Sequence, residues 1–256
     1  MTDLLYDPWF YAAAVPAVAL VGLSKGGLGG ATALIGVPLM ALVLPPVQAA
    51  AVMLPILVVM DMFALWSWRG YRDMETLKHL LPGGMLGITI GWLTAAFVTA
   101  AMIKLIVGVI ALVFAARWYL DRARGRRQVR AHSMVRGTFW GTGAGFTSFV
   151  AHAGGPPYQI YALPFDHDPK IYTGTSTIFF AIVNAVKLVP YFALGQFDAT
   201  NLAASAILLP IAPIAILAGV MIVRRMNREV FYPFMYAMIV LVGLKLTWDG
   251  AVVFLL

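Results

Sequence analysis

The stretch Gly22-Leu-Ser-Lys-Gly-Gly-Leu-Gly-Gly30 interrupts a hydrophobic segment near the start of the chain. A second interruption follows in the other half, at Gly143-Ala-Gly-Phe-Thr-Ser-Phe-Val-Ala-His-Ala-Gly-Gly-Pro-Pro157. At membrane depth, backbone can leave the helix only where protein or a water-filled cavity satisfies its amides. Two such breaks at corresponding places in two halves of a chain indicate a transporter's binding site. We therefore expect a solute to bind between them.

The composition predicts a membrane protein. Of the 256 residues, 61% are hydrophobic and 11% are charged, whereas an ordinary soluble domain is about a quarter charged. Apolar runs such as 80–97, 171–194 and 202–223 each approach the roughly 20 residues that cross the hydrocarbon. The N-terminus carries Asp3 and Asp7 instead of the basic start of a cleavable signal peptide. We predict an all-α polytopic membrane protein.

The same composition excludes several kinds of site. The chain contains no cysteine, so it has no disulfide, thiolate metal site or thiol nucleophile. Its net charge of +7 comes mostly from arginines in loops, which predicts contact with membrane lipid and not with nucleic acid. No Walker-type sequence is present, which argues against ATP hydrolysis. We expect no cofactor and no metal site, and the sequence is compatible with a homodimer.

The two halves follow one plan. Similar features recur about 123 positions apart, as in Gly22 with Gly145 and Asp61 with Asn184. We predict two inverted-topology repeats, each with a broken or re-entrant helix pair and about three spanning helices. Their predicted bounds are 1–118 for the first repeat, 119–136 for a basic cytoplasmic linker, and 137–256 for the second repeat.

The charges of the loops predict the orientation. Short loops rich in Lys and Arg stay in the cytoplasm, so the loops at 68–79, 118–136 and 224–229 should lie inside. The loops at 195–199 and 98–100, their counterparts in the other half, are poor in these residues. This pattern requires each broken pair to return to the side on which it began. Both termini should then lie outside.

The first break predicts an anion site. Glycine lets a ligand approach the backbone closely, and a half-helix beginning near Ala31 would aim its free N–H groups into the break. A lysine among the glycines adds a full positive charge. An alternative remains open, in which the glycines only permit close helix packing and the lysine reaches an interface. The predicted binding residues here are Lys25, Gly26, Gly27, Gly29 and Gly30.

The second break supplies hydroxyls, an imidazole and more glycines. Its closing prolines disfavour a continuous helix, and Ser and Thr hydroxyls can donate to anion oxygens. His152 either carries a coupling proton near neutral pH or only bonds a freed carbonyl, and both alternatives remain open. The predicted binding residues here are Thr147, Ser148, Gly154 and Gly155.

A polar stripe follows within residues 171–194. Thr177, Asn184, Lys187 and Tyr191 are spaced by seven, three and four, which places them on one helix face. A lysine inside a membrane segment is a functional candidate by default, although it could also reach the outer surface. We predict binding roles for the last three residues. Asp61 is a second candidate for ion coupling, and we expect it to pair with Lys187.

These motifs together resemble one family, the TauE/SafE sulfite and organosulfur-anion exporters. In the first half the resemblance rests on Gly22-Leu-Ser-Lys-Gly-Gly-Leu-Gly29, Pro38-Leu-Met-Ala-Leu42, Leu54-Pro55 and Asp61. In the second half it rests on Gly145-Phe146, Ala153-Gly-Gly-Pro-Pro157, Gly174-Thr175, Asn184-x-x-Lys187 and Pro190-Tyr191. It covers nearly the whole chain, from about residue 12 to 248, and it adds Thr175 to the candidate binding residues.

The resemblance implies a multi-pass transporter of the bacterial inner membrane, with about eight helices in two related halves. The family's substrates include sulfite, sulfonates and sulfoacetate-like anions, which agrees with the predicted anion site. We expect a secondary carrier that moves such an anion by alternating access and is coupled to the proton gradient. Two other hypotheses remain open. One is an anion channel, and the other is an intramembrane hydrolase using Ser176 and His152.

Overall fold

The computed structural model describes residues 3–28, 36–37, 39–94, 97, 99–125, 130–195 and 198–255. Within these residues the chain is helical and has no strand, which confirms the all-α prediction. Five of the described helices are long and apolar enough to cross a membrane, or six if one bent pair counts as a single span. The helices alone therefore support the prediction of a polytopic membrane protein.

The described helices have the following bounds. In chain order they are α1 Asp3–Tyr6, α2 Pro8–Leu23, α3 Pro46–Ser67, α4 Met74–Thr94, α5 Ala100–Ala123, α6 Met134–Ala151, α7 Gly155–Ala162, α8 Pro169–Ala193, α9 Ala199–Leu208, α10 Ile211–Arg224 and α11 Arg228–Leu255. A π-helical turn over Ser24–Leu28 extends α2, and a 3₁₀ turn over Leu163–Phe165 extends α7.

The first predicted break is present at the end of α2. The backbone leaves the helix at Gly27, whose φ of 130° suits glycine. The chain continues as a described segment only to Leu28. Gly29, Gly30 and the predicted half-helix near Ala31 lie outside the described residues.

The second predicted break is present between α6 and α7. His152 ends α6 in the left-handed region with φ of 52°. The backbone N–H of Arg130 donates to the carbonyl of Pro164 at 3.1 Å, and the Tyr161 hydroxyl donates to the carbonyl of Ser133 at 3.2 Å. The end of the α7 segment therefore lies beside the start of α6. The chain therefore turns back at this break, as a re-entrant pair would.

One break was not expected. The sequence predicts a single apolar segment over 200–223, whereas the structure divides it into α9 and α10, which meet at 46°. Pro210 lies in this bend. Proline has no N–H and its ring clashes with the preceding turn, so it interrupts a helix.

The helices pack in pairs that relate the two halves. α4 packs on α6, α2 packs on α10, α3 packs on α8, and α5 packs on α11. In the predicted repeat, α2, α3, α4 and α5 of the first half correspond to α6, α8, α10 and α11 of the second half. When each helix is replaced by its counterpart, the α4–α6 pair becomes the α10–α2 pair, and the α3–α8 and α5–α11 pairs are unchanged. This pairing supports a pseudo-twofold arrangement. The inverted orientation of the repeats and their bounds remain predictions.

The loops predicted to be cytoplasmic meet at one end of the bundle. A guanidinium nitrogen of Arg224 donates to the carbonyl of Ser67 at 2.7 Å, and His132 Nε2 lies 2.9 Å from an Asp73 oxygen. Burial raises the pKa of Asp73, but hydrogen bonds from Thr76 and His132 lower it further, to about 2. The loops share one end, and the side of the membrane on which that end lies remains a prediction.

Glycines bring α4 and α6 into close contact. A Cβ added at Gly83 would lie 2.1 Å from the carbonyl oxygen of Thr138, and one at Gly145 would lie 2.1 Å from that of Gly84. Gly87 and Gly141 make equivalent approaches. On each helix the two glycines are separated by four positions along the chain, a pattern of small residues that is common where membrane helices pack closely. These glycines therefore set the distance between a helix of the first half and the broken pair of the second.

We predict that Gly145→Ala destabilises the protein. The new methyl group would overlap the backbone of α4, and such overpacking costs about 1–3 kcal/mol. Thermal unfolding in detergent would show a lower Tm. Gly143→Ala is the matched control, because its Cβ would lie 3.5 Å from Pro157 Cβ, an ordinary contact. Equal Tm values for the two variants would contradict the prediction.

Candidate functional site

A cavity of about 110 Å³ lies between the two breaks. A buried water needs roughly 10–15 Å³ measured in this way, so the cavity has room for several waters or one small polyatomic anion. Its walls come from the first break, α3, the second break and α8. The predicted site residues that line it are Lys25, Gly27, Ser148, His152, Gly154, Gly155, Asn184 and Lys187.

Asp61 joins the two halves beside this cavity. The carboxylate is 3% exposed, forms an ion pair with Lys25 of the first break, and accepts a hydrogen bond from Asn184 Nδ2 at 2.6 Å. The expected Asp61–Lys187 ion pair is wrong among the described contacts. The packing of α3 on α8 places Asp61 beside Asn184, which binds Oδ2 of the carboxylate. Lys25, from the first break, binds Oδ1.

Lys187 is buried and has no carboxylate partner. Its side chain is 1% exposed, so it does not reach a surface. Its Nζ donates to the carbonyl of Ser148 at 3.3 Å and to the Ser148 hydroxyl oxygen at 3.2 Å. No described Asp or Glu forms an ion pair with it. Both of its partners belong to the last turn of α6, so the lysine lies against the second break.

The charges around the cavity favour an anion. With both lysines protonated, two ammonium groups face one carboxylate, which leaves one positive charge. A buried charge is costly unless it is paired and hydrogen-bonded. An anion between Lys187 and the first break would supply the missing partner. A cation there would add to the excess.

Two polar atoms on the wall also lack partners. His152 Nε2 and Thr173 Oγ1 are buried, and neither makes a hydrogen bond within the described part of the chain. Both residues line the cavity. Buried polar atoms are nearly always hydrogen-bonded, so these two indicate that the cavity holds a polar occupant or water.

The start of α7 offers few amide donors. Pro156 and Pro157 occupy its first turn, and proline has no N–H. The amides of Gly154 and Gly155 are therefore the backbone donors that this helix end can direct at the cavity. An added Cβ at Gly154 would lie 2.7 Å from the carbonyl oxygen of Ala144, so the close packing there admits no side chain.

Two predicted residues have structural partners away from the cavity. The Thr147 hydroxyl donates to the carbonyls of Gly143 at 2.7 Å and Ala153 at 3.0 Å, and it thereby holds the second break closed. The Thr175 hydroxyl accepts from the Asp73 N–H at 2.8 Å and lies at the end of the bundle. Neither lines the cavity.

Two more predicted residues pack behind the wall. An added Cβ at Gly26 would lie 2.7 Å from Gly219 Cα, so this glycine permits the close packing of the first break on α10. The Tyr191 ring lies 6.4 Å from that of His152 and is buried beyond it. The structure does not bring either residue to the cavity.

The sequence missed several polar lining residues. Thr173 and Ser176 continue the stripe of α8 by one turn toward its N-terminus, so extending the same spacing would have found them. Tyr158 and Gln159 also line the cavity. Their part in it depends on how α7 turns back after the break, and no spacing along the chain predicts that turn.

A known family profile matches nearly the whole chain. The family profile described as "Sulfite exporter TauE/SafE" matches residues 14–246. No curated protein and no solved structure matches the chain. The matched family consists of membrane transporters and not enzymes. Because the match covers nearly the whole chain, the protein belongs to the sulfite exporter TauE/SafE family.

Proposed function

We propose that the protein is a secondary transporter that moves sulfite, a sulfonate or a similar small sulfur anion by alternating access, coupled to protons. The family supports a sulfur-anion exporter in the membrane. The observation that carries the proposal is Lys187, whose fully buried side chain lies on the cavity wall without a carboxylate partner among the described residues. The bound anion is that partner.

A proton on Lys187 and an anion in the cavity stabilise each other. The ammonium form is costly in a buried site without a counter-ion, and the anion is equally costly there without a cation. Each ligand therefore raises the affinity for the other, as reciprocal linkage requires. A carrier built in this way moves the anion together with a proton.

Asp61 supplies a second coupling step. Its carboxylate pairs with Lys25 beside the cavity. Protonation of Asp61 releases Lys25 to the anion, and both breaks then contact the same solute. An anion that contacts both breaks stabilises the conformations in which the two halves lie close together. Rocking of the halves about the α3–α8 contact exposes the cavity to either side in turn.

We predict that Lys187→Met abolishes transport. Methionine has a similar length but no charge, so the anion loses its counter-ion, and losing one partner of a buried pair costs about 100-fold or more. Flux of labelled sulfite and sulfonates into proteoliposomes would measure this loss. Lys104→Met is the matched control, since Lys104 lies near the start of α5 and does not line the cavity. Unchanged flux in Lys187→Met would refute the proposed site.

We predict that Asp61→Asn weakens the coupling of transport to the proton gradient. Asparagine keeps the shape of the side chain but cannot exchange the proton, so exchange of anion for anion should continue while a pH gradient drives less accumulation than in the wild type. Both quantities can be measured in the same proteoliposomes. Asp249→Asn on α11 is the control, because Asp249 pairs with Lys245 and does not line the cavity. Undiminished accumulation in Asp61→Asn would contradict the coupling role.

The same vesicles separate a carrier from a channel. A carrier saturates with substrate and responds to an imposed pH gradient, because each cycle needs a conformational change. A channel would give flux that rises with concentration and follows the membrane potential. Saturating, pH-driven flux is the result expected for this protein.

A further inference from the structure

A second polar cluster lies at the loop end of the bundle, outside the cavity. Asp73 Oδ2 lies 2.9 Å from His132 Nε2 and 3.1 Å from His167 Nε2. These two imidazole nitrogens and the carboxylate oxygen all lie within 4.8 Å of one another. The residues stand one or two positions before α4, α6 and α8 respectively. The cluster therefore joins three loops from both halves of the chain.

More donors meet at this oxygen than it can accept. Besides the two imidazoles, the hydroxyl of Thr76 lies 2.5 Å from Asp73 Oδ2 and its backbone N–H lies 3.1 Å away. A carboxylate oxygen offers about two lone-pair positions. Four contacts therefore compete for about two positions, and the Thr76 hydroxyl also lies 3.0 Å from His132 Nε2. A cation between the imidazoles and the carboxylate would relieve this crowding.

The second ring nitrogen of His132 points to the same conclusion. Its Nδ1 lies 3.4 Å from Glu75 Oε2, so a hydrogen on Nδ1 suits that contact. A neutral imidazole with its hydrogen on Nδ1 has a lone pair on Nε2. In that tautomer Nε2 can bind a cation held between it and Asp73 Oδ2, in place of the hydrogen bond that it otherwise donates to Asp73.

We propose that His132, His167 and Asp73 bind a divalent transition metal ion such as Zn²⁺. Imidazole with carboxylate is a ligand set that suits Zn²⁺ and its neighbours. A carboxylate beside the second nitrogen of a metal-bound histidine is the usual outer partner, and Glu75 has that place. Two carboxylates and two neutral imidazoles sum to a charge of −2, which the ion neutralises.

The distances suit this ion after a small expansion. Zinc bonds of about 2.1 Å at tetrahedral angles place ligand atoms roughly 3.4 Å apart. The present separations of 2.9 and 3.1 Å need to open by only a few tenths of an ångström. The side chains are each partly exposed, so an ion can enter from the solvent and a water can complete the coordination.

The ion would fasten the loop end of the two halves together. The ligands are 59 and 35 positions apart along the chain, so the metal closes two large loops. We expected no metal site from the sequence, in which these ligands lie far apart. The site is independent of the transport cavity, and its failure would leave the proposed carrier function intact.

The test uses the full chain in detergent with its affinity tag removed and all metal stripped by a chelator. We expect one Zn²⁺ per chain by isothermal titration, and Co²⁺ should give the visible absorption of a tetrahedral site. Zn²⁺ should also raise the Tm. Because the chain has four histidines and no cysteine, few other sites can compete for the ion.

Three variants define the site. His132→Gln and His167→Gln should each abolish saturable binding and the rise in Tm, and Glu75→Gln should weaken binding about 10–100-fold. His79→Gln is the matched control, since its Nδ1 pairs with the Tyr161 hydroxyl and it is not a ligand. No saturable binding to the wild type would overturn the proposal, and that result needs no variant to fold. Binding that survives both ligand substitutions would also overturn it.

Discussion

The buried carboxylate of Asp61 is the contact on which the site depends. It pairs with Lys25 of the first break and accepts from Asn184 of the second half. In a low-dielectric interior a carboxylate must be paired and hydrogen-bonded, so these two partners are held in place. Since Lys25 pairs with Asp61, Lys187 has no acidic partner in the part of the chain that the structure describes. The charge excess of the cavity follows from this arrangement.

The breaks make this arrangement possible, and close packing supports them. The glycines of α4 and α6 let two backbones approach until there is no room for a methyl group. That contact holds α6, and with it the second break, against the first half. At the loop end, Asp73 connects three further segments through His132 and His167. The helices around the cavity are therefore held by the packing of α4 on α6 and by the polar contacts of Asp73 at the loop end.

Much of the architecture could be predicted because it follows from local pattern. Apolar runs predicted the long helices, and glycine and proline predicted the breaks at Gly27 and before Pro156. Helix spacing placed Asn184 and Lys187 on one face. The prediction failed where a residue's role depends on its neighbours in space. Thr147 and Thr175 carry the expected hydroxyls, but those hydroxyls bond backbone elsewhere.

By itself, the sequence determined that the chain is helical, lies in a membrane and is broken twice, because hydropathy and backbone restrictions act over a few residues. It also placed two lysines within apolar segments. Only the tertiary structure decided which lysine Asp61 neutralises and which three loops meet at the histidines. Those outcomes depend on how helices distant in sequence pack, and a charge or a lone pair interacts with whatever lies within a few ångströms of it.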